Sequence, residues 1–278
     1  MQLSRAEVDD FINRSLTEDI GRGDLTTNVT IPPGTMLKAS MVARQEVVVC
    51  GIDIAAMTFK RVHQDIKVEI KAKDGEKLAK GAVIATVEGD ARSVLAAERT
   101  ALNILQHLSG IATEVRKYAE AVAGTKCTLI DTRKTIPTLR NIAKYASFVG
   151  GARNHRIRLD DGVLIKDNHS AAAGSLTETV KRALRGTPAL TVVEVECDTL
   201  EQVKEAAESG VDMILLDNMD CEGLKKAVAI VNGRCRIECS GGVTLETVRD
   251  KAMTGVDFIS SGRMTQSAAA VDIGLDWG

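Results

Sequence analysis

The sequence predicts an α/β protein whose second half is a β/α barrel, and three observations carry that reading. After residue 125 six short apolar runs appear, each closing on polar residues or glycine: Thr128–Arg133, Val163–Asn168, Thr191–Glu196, Met213–Asn218, Arg236–Ser240 and Phe258–Gly262. The last four end near 196, 217, 240 and 262, a spacing of 21 to 23 residues that suits strand, loop, helix and loop repeated. Amphipathic stretches lie between them, such as Leu200–Ser209 with Leu200, Val203, Ala206 and Ala207 on one face. Continuous apolar strands alternating with helices imply a parallel sheet covered on both sides. A barrel ranks first and a doubly wound sheet second.

The first half has a different texture. Ser4-x-x-Glu7 has the form of a capping box, and Val8, Phe11, Ile12 and Leu16 follow at helical spacing, so a helix is expected up to Gly21 and Gly23. From about Leu37 to Glu88 the pattern is β. Val68, Ile70 and Ala72 alternate with charged residues, Asp74-Gly75 signals a turn, and Ala82–Val87 is a further apolar run. Residues 94–121 read as one long helix with Ala97, Ala101, Ile104, Leu105 and Leu108 as its buried stripe. A second stripe on it, Arg99, Asn103 and Gln106, is polar, and spacing alone reads it as a solvated face. The domain division expected is 1–108, 109–269 and a tail, 270–278, whose expected course is back to the N-terminal domain.

Composition narrows the function. The 278 residues carry 36 Lys and Arg against 38 Asp and Glu, a net charge of −2, and only 3% are aromatic. That balance argues against a general nucleic-acid or acidic-membrane binder, and so few rings leave little for base stacking. No run approaches the roughly 18 apolar residues of a membrane span, and the start shows no apolar leader. The six cysteines (Cys50, Cys127, Cys197, Cys221, Cys235, Cys239) include no CxxC pair, so Cys235 and Cys239 read as packed thiols of a reduced, cytoplasmic protein.

Chemistry collects at the ends of the six runs, where a barrel builds its active site. The candidates are Arg133, Lys134, Lys166 with Asp167, Glu196, Asp217, Ser240-Gly241-Gly242 and Ser261-Gly262-Arg263. Residues 133–166 hold eight cations and two acids, a local charge of +6 that the overall −2 conceals. Arginine forks match carboxylate and phosphate oxygens in pairs, so this segment suggests a small polyanion. The glycine-rich ends at 240–242 and 260–262 fall on the last two strands, where barrels often cradle a phosphate with backbone N–H groups. Glu196 and Asp217 would oppose the cations, either stabilising a developing positive charge or holding Mg²⁺. His155 lies inside the cationic segment and His169 beside Asp167, whereas His63 and His107 have no such context. There is no nucleophile elbow, zinc spacing, Walker motif or dinucleotide fingerprint.

Several motifs, in order, resemble the quinolinate phosphoribosyltransferases. They are Asp131-Thr-Arg-Lys-Thr135, Gly150-Gly151, Asn154-His-Arg156 and Asp161-Gly-Val-Leu-Ile-Lys-Asp-Asn-His169. Outside that stretch stand Glu18-Asp19, Gly23-Asp-Leu-Thr-Thr27, Glu98-Arg-Thr-Ala-Leu-Asn103, Glu194-Val-Glu196, Leu215-Leu-Asp-Asn218 and Ser240-Gly-Gly242. The resemblance implies an N-terminal α/β sandwich-like domain followed by an open β/α barrel, assembled as a homodimer or larger homo-oligomer. It implies that quinolinate and phosphoribosyl pyrophosphate are joined with Mg²⁺ to give nicotinate mononucleotide, pyrophosphate and CO₂ for NAD synthesis.

Carried over by motif, Arg99, Arg133, His155, Arg156 and Lys166 would bind the two carboxylates of quinolinate. Arg99 would come from a neighbouring subunit, against the solvated-face reading of its stripe. Lys134 and Lys166 would approach phosphoribosyl pyrophosphate. Lys134, Glu196 and Asp217 would form the catalytic set, with Glu196 and Asp217 facing the ribose and the metal. Ser240, Gly241, Gly242, Ser261 and Gly262 would take the 5′-phosphate. The sequence departs from the family pattern at Thr138 and Ala152, where glycine is usual, and at Arg263 and Gln266, where alanine and histidine are usual. Two rivals stand beside this reading. A nicotinate phosphoribosyltransferase needs only one carboxylate bound, and a repurposed non-catalytic homologue should have lost part of the Arg-Lys and Asn-His-Arg sets.

Overall fold

The computed structural model describes residues 1–277. The chain forms two compact units, one of residues 1–116, 141–150 and 268–277, the other of residues 117–140 and 151–267.

The first unit opens with helix α1 (Arg5–Ile20), and the capping box read from the sequence is formed: the Glu7 N–H donates to Ser4 Oγ at 3.3 Å and the Ser4 N–H to Glu7 Oε2 at 2.9 Å. Then come α2 (Leu25–Thr30), β1 (Met36–Ala43), β2 (Val47–Val48), α3 (Ile52–Val62), β3 (Lys67–Ile70), β4 (Lys77–Leu78), β5 (Val83–Asp90) and the long helix α4 (Ala91–Val122). Helix α3 breaks the stretch expected to be β from Leu37 to Glu88. Its first N–H groups are capped from a distance: Asp74 accepts from the N–H of Gly51 at 2.8 Å and of Ile52 at 3.1 Å. No residue next to the helix announces that cap.

The chain continues through β6 (Thr128–Ile130), α5 (Arg140–Gly150), β7 (Val163–Ile165), α6 (Asp167–Ala173), α7 (Leu176–Gly186), β8 (Val193–Cys197), α8 (Leu200–Glu208), β9 (Met213–Asp217) and α9 (Cys221–Val231). It ends with β10 (Arg236–Ser240), α10 (Val248–Ala252), β11 (Phe258–Ser260), α11 (Arg263–Gln266) and β12 (Ile273–Trp277). In the first unit an antiparallel sheet runs β12-β1-β5-β3, with Ala43 opposite Ile273 and Ala39 opposite Trp277. Its buried face meets α3 and α4 in a core that includes Met41, Phe59, Ile84, Val87, Leu102 and Leu105. On α4 the apolar stripe is buried as its spacing requires. The polar stripe divides: Arg99 and Asn103 are exposed, while the Gln106 amide donates to the Ile273 carbonyl at 2.6 Å and so holds β12.

In the second unit all six apolar runs form strands, and they lie parallel in the order β6-β11-β10-β9-β8-β7. Arg153 adds a single parallel bridge on the free side of β6, opposite Ile130. The sheet therefore curls from Arg153 round to β7 without a ladder between them, which is an open β/α barrel. Interior side chains prove the curvature. Glu194 on β8 and Glu238 on β10 are separated by a whole strand, yet both lie against the His155 ring, at 2.9 and 3.4 Å.

Thr138 has φ +69°, a left-handed conformation at a β-branched residue, at the position where the family pattern has glycine. That conformation costs about 1–2 kcal/mol for an L-residue, and glycine gives back about 0.4–1 kcal/mol through the entropy of the unfolded chain. Thr138→Gly should raise the melting temperature by about 2–4 °C in a thermal denaturation scan. An unchanged or lower value would mean that the loop is relaxed as it stands. Ala152, the other such departure, is buried and takes ordinary negative φ.

Candidate active site

The strand ends of the second unit surround a cavity of about 370 Å³. Lining it are Arg133 and Lys134 after β6, His155 and Arg156 after the Arg153 bridge, Lys166 after β7, Glu196 on β8, Asp217 on β9 and Ser240 on β10. Each sits where its strand runs out, so parallel strands deliver polar groups to one rim. Lys166 is ion-paired to Glu196 across the cavity.

The two arginines are under strain of charge. Nε of Arg133 and Nε of Arg156 are both buried with no hydrogen-bond partner among the described residues, although Arg156 Nη1 donates to the Gly162 carbonyl at 2.8 Å. Burial, and then the Arg133 charge, hold the Arg156 guanidinium below its ordinary pKa. Two neighbouring cations with buried, unused donors make a place that an anion would complete.

Beneath them lies a buried cluster that the strand-end reading missed. The His155 ring donates from Nε2 toward Glu194 and Glu238, and its Nδ1 accepts the Arg156 N–H at 2.8 Å. Asp131, fully buried, accepts from the His155 N–H at 2.9 Å and from the Asn154 amide at 2.7 Å, and so fixes this loop. Burial opposes charge on the imidazole while the two carboxylates favour it and raise its pKa; the Nδ1 contact with the Arg156 N–H belongs to the neutral ring, whose one proton sits on Nε2 between the carboxylates. Glu194 is shifted upward, by burial first and with Glu238 adding to it. Although these three residues could each offer an atom to a metal, both ring nitrogens are already engaged, Nδ1 by an N–H donor. The cluster is a support for His155 and Arg156. Its signal was legible: Glu194 and Glu238 stand two residues before Glu196 and Ser240, hence on the same strand faces one layer deeper. His155 and Arg156 also line a second cavity, of about 190 Å³, near the strand starts.

Next to the main cavity is a smaller hollow of about 210 Å³ built by the loops after β10 and β11. Gly241 (φ +77°) and Gly242 (φ +59°) turn there in the left-handed region. At Gly262 a Cβ would stand 2.6 Å from Lys134 Cδ, so glycine lets the lysine stem pass from one hollow to the other. Thr265 holds that lysine by donating to its carbonyl at 2.7 Å. The Ser261 hydroxyl is spent on the Val243 carbonyl at 3.0 Å, which ties the two loops together. Arg263 and Gln266, the unusual residues here, line the hollow and are exposed.

The cationic segment does not converge as a whole. Arg133, Lys134, Arg156 and Lys166 line the cavity. Lys144 is fully buried in the first unit, Arg153 lines the second cavity, and Arg158 pairs with Asp160. Arg140 bonds back to the Arg133 carbonyl at 3.2 Å. His169 accepts the Lys166 N–H at 3.0 Å and so serves the start of α6. Arg99 lies on α4 in the first unit.

Two family models match the chain: the N-terminal domain of quinolinate phosphoribosyl transferase over residues 24–109 and its C-terminal domain over residues 111–276. The chain belongs to the quinolinate phosphoribosyltransferase family. A Mycobacterium leprae relative, a nicotinate-nucleotide pyrophosphorylase (carboxylating), is 42% identical over 283 residues, covering 99% of each chain. A probable enzyme of the same name from Synechocystis is 40% identical over 275 residues, covering 96% of this chain and 92% of its own. The solved structure of NadC from Streptococcus pyogenes superposes with a TM-score of 0.95 at 37% identity, over 99% of this chain and 98% of that one. Human nicotinic acid phosphoribosyltransferase shares the fold alone, with a TM-score of 0.61 at 12% identity. Among the described residues no helix of this family member is long and apolar enough to cross a membrane.

Proposed function

We propose that the protein transfers the phosphoribosyl group of phosphoribosyl pyrophosphate to quinolinate, with decarboxylation, to give nicotinate mononucleotide, pyrophosphate and CO₂. The observation that carries this reading is the pair of half-buried arginines, Arg133 and Arg156, with buried, unused Nε donors beside Lys134 and Lys166 around one cavity. So many cations fit a dicarboxylate better than a single carboxylate, and the intact Arg-Lys and Asn-His-Arg sets speak against a repurposed homologue.

In this mechanism the bond from ribose C1 to the pyrophosphate oxygen breaks and its electron pair leaves with pyrophosphate. The positive charge developing at C1 faces the carboxylates of Glu196 and Asp217. The pyridine nitrogen lone pair then forms the new C1–N bond. With that nitrogen cationic, the ring takes up the electrons released when the adjacent carboxylate leaves as CO₂, and a proton closes the carbon. Arg133 and Arg156 hold the dianion in place, with His155 supporting the Arg156 loop beneath them, and Lys134 and the glycine hollow hold the phosphates. Positioning and desolvation carry the rate, and no covalent nucleophile is needed.

Glu196 and Asp217 offer hard carboxylate oxygens in one cavity, a donor set that suits Mg²⁺ shared with substrate phosphates. The ion would supply charge neutralisation of the departing pyrophosphate. By family resemblance the working form is a homodimer or larger assembly, with the exposed Arg99 contributed by a neighbouring copy, in a reducing cytoplasm. A turnover assay with quinolinate, phosphoribosyl pyrophosphate and Mg²⁺ should release CO₂ and nicotinate mononucleotide. Turnover of nicotinate with none of quinolinate would replace this reading by the nicotinate enzyme.

A further inference from the structure

Three non-glycine residues have positive φ among those described: Thr138, Asn218 and Asn232. Asn232 closes helix α9, and Thr138 sits in an exposed loop. Asn218 caps no helix. It follows β9 directly, with φ +57°, and its contacts reach both halves of the site.

Its backbone N–H donates to the Ser240 carbonyl at 3.0 Å, which extends the β9–β10 ladder into the loop that builds the glycine hollow. Its side-chain amide donates to the carboxylate of Asp217, the preceding residue. Its third neighbour is Gly241, where a Cβ would meet Asn218 Oδ1 at 2.3 Å and Asn218 N at 2.6 Å. The turn of Asn218 and the absence of a side chain at Gly241 are therefore one fit. Asparagine is the side chain that tolerates this backbone and still has a donor for the carboxylate.

We propose that Asn218 is a positioning residue that fastens the Asp217 carboxylate to the Ser240–Gly242 turn, so that the ribose side and the phosphate side of the site are held as one piece. This rests on the reading under Proposed function. It adds that affinity for the phosphorylated sugar depends on a residue that neither binds phosphate nor takes part in the chemistry.

Asn218→Gly separates this role from that of a turn former. Glycine adopts the left-handed turn freely and keeps the N–H bond to Ser240, and only the amide contacts disappear. The variant should melt within about 2 °C of the wild type and bind quinolinate with unchanged affinity. Calorimetric affinity for phosphoribosyl pyrophosphate in Mg²⁺ should fall by about tenfold or more, the scale of one charge-assisted hydrogen bond. In steady state the loss should appear in KM for that substrate more than in kcat. Asn218→Asp, which keeps the shape but sets a second carboxylate against Asp217, should lose at least as much, and it serves if the glycine variant folds poorly. Wild-type affinity for phosphoribosyl pyrophosphate in both variants overturns the inference alone, as does an equal loss of quinolinate binding. Wild-type protein that binds no phosphoribosyl pyrophosphate overturns the reading of the site and this inference with it.

Discussion

Arg133→Ala is expected to remove most quinolinate turnover without lowering stability. The guanidinium lines the main cavity with a buried, unpartnered Nε, and it stands close enough to Arg156 to depress that residue's pKa. On the proposed reading each arginine would donate to a carboxylate of quinolinate, and removing one would leave that carboxylate without its counter-charge. Breaking a buried charge pair in this way costs about 3–5 kcal/mol. At about 1.4 kcal/mol per decade, kcat/KM for quinolinate falls by roughly two to three and a half decades. In the free protein the sign reverses, because the substitution relieves repulsion between two half-buried cations. The melting temperature should stay level or rise. Arg133→Lys restores the charge but not the fork, and is expected to recover only part of the loss. Steady-state kinetics with a thermal melt on the same preparations test both halves. Kinetics like those of the wild type would remove Arg133 from the site, and a large drop in melting temperature would make it a structural residue.

Gly241→Ala is expected to damage the phosphate side of the site. Two penalties coincide there. The left-handed backbone, φ +77°, costs an alanine about 1–2 kcal/mol. The new methyl would also stand 2.6 Å from the backbone nitrogen of Asn218, and no side-chain rotation relieves that contact. The turn must shift, and the hollow shifts with it. KM for phosphoribosyl pyrophosphate should rise by about tenfold or more, and the melting temperature should fall by several degrees. Gly242→Ala is the internal control. Its φ is +59° but the nearest atom to a Cβ is 3.9 Å away, so it carries the backbone penalty alone. If both variants bind phosphoribosyl pyrophosphate like the wild type, the hollow is not where the phosphate sits.

Much of the second unit was legible because its signals are local. Each apolar run became a strand, and the residue that ends it became part of the rim: Arg133, Lys166, Glu196, Asp217 and Ser240 all line one cavity. Parallel strands impose that outcome, since both their faces must be apolar and only their ends are free to be polar. The first unit was less legible. Helix α3 depends on Asp74, which lies more than twenty residues away in sequence, to cap its first N–H groups, so its start carries no mark nearby.

Charge was the least reliable guide. The +6 segment holds four cations of the cavity, but Lys144 is buried elsewhere and Arg140, Arg153 and Arg158 have other partners or positions. Sequence distance says that these groups are near one another along the chain, and only the path of the chain says which of them share a solvent pocket.

By itself the sequence determined the alternation of strand and helix, the polar strand ends, the glycine turns and the family to which the chain belongs. Tertiary structure decided what those ends rest on. It set Glu194 and Glu238 under His155, left Arg133 and Arg156 with donors unused, and pressed Gly241 against Asn218. The physical reason is that periodicity and turn chemistry act over a few residues. Burial, charge pairing and close approach are set between strands that meet only when the sheet curls.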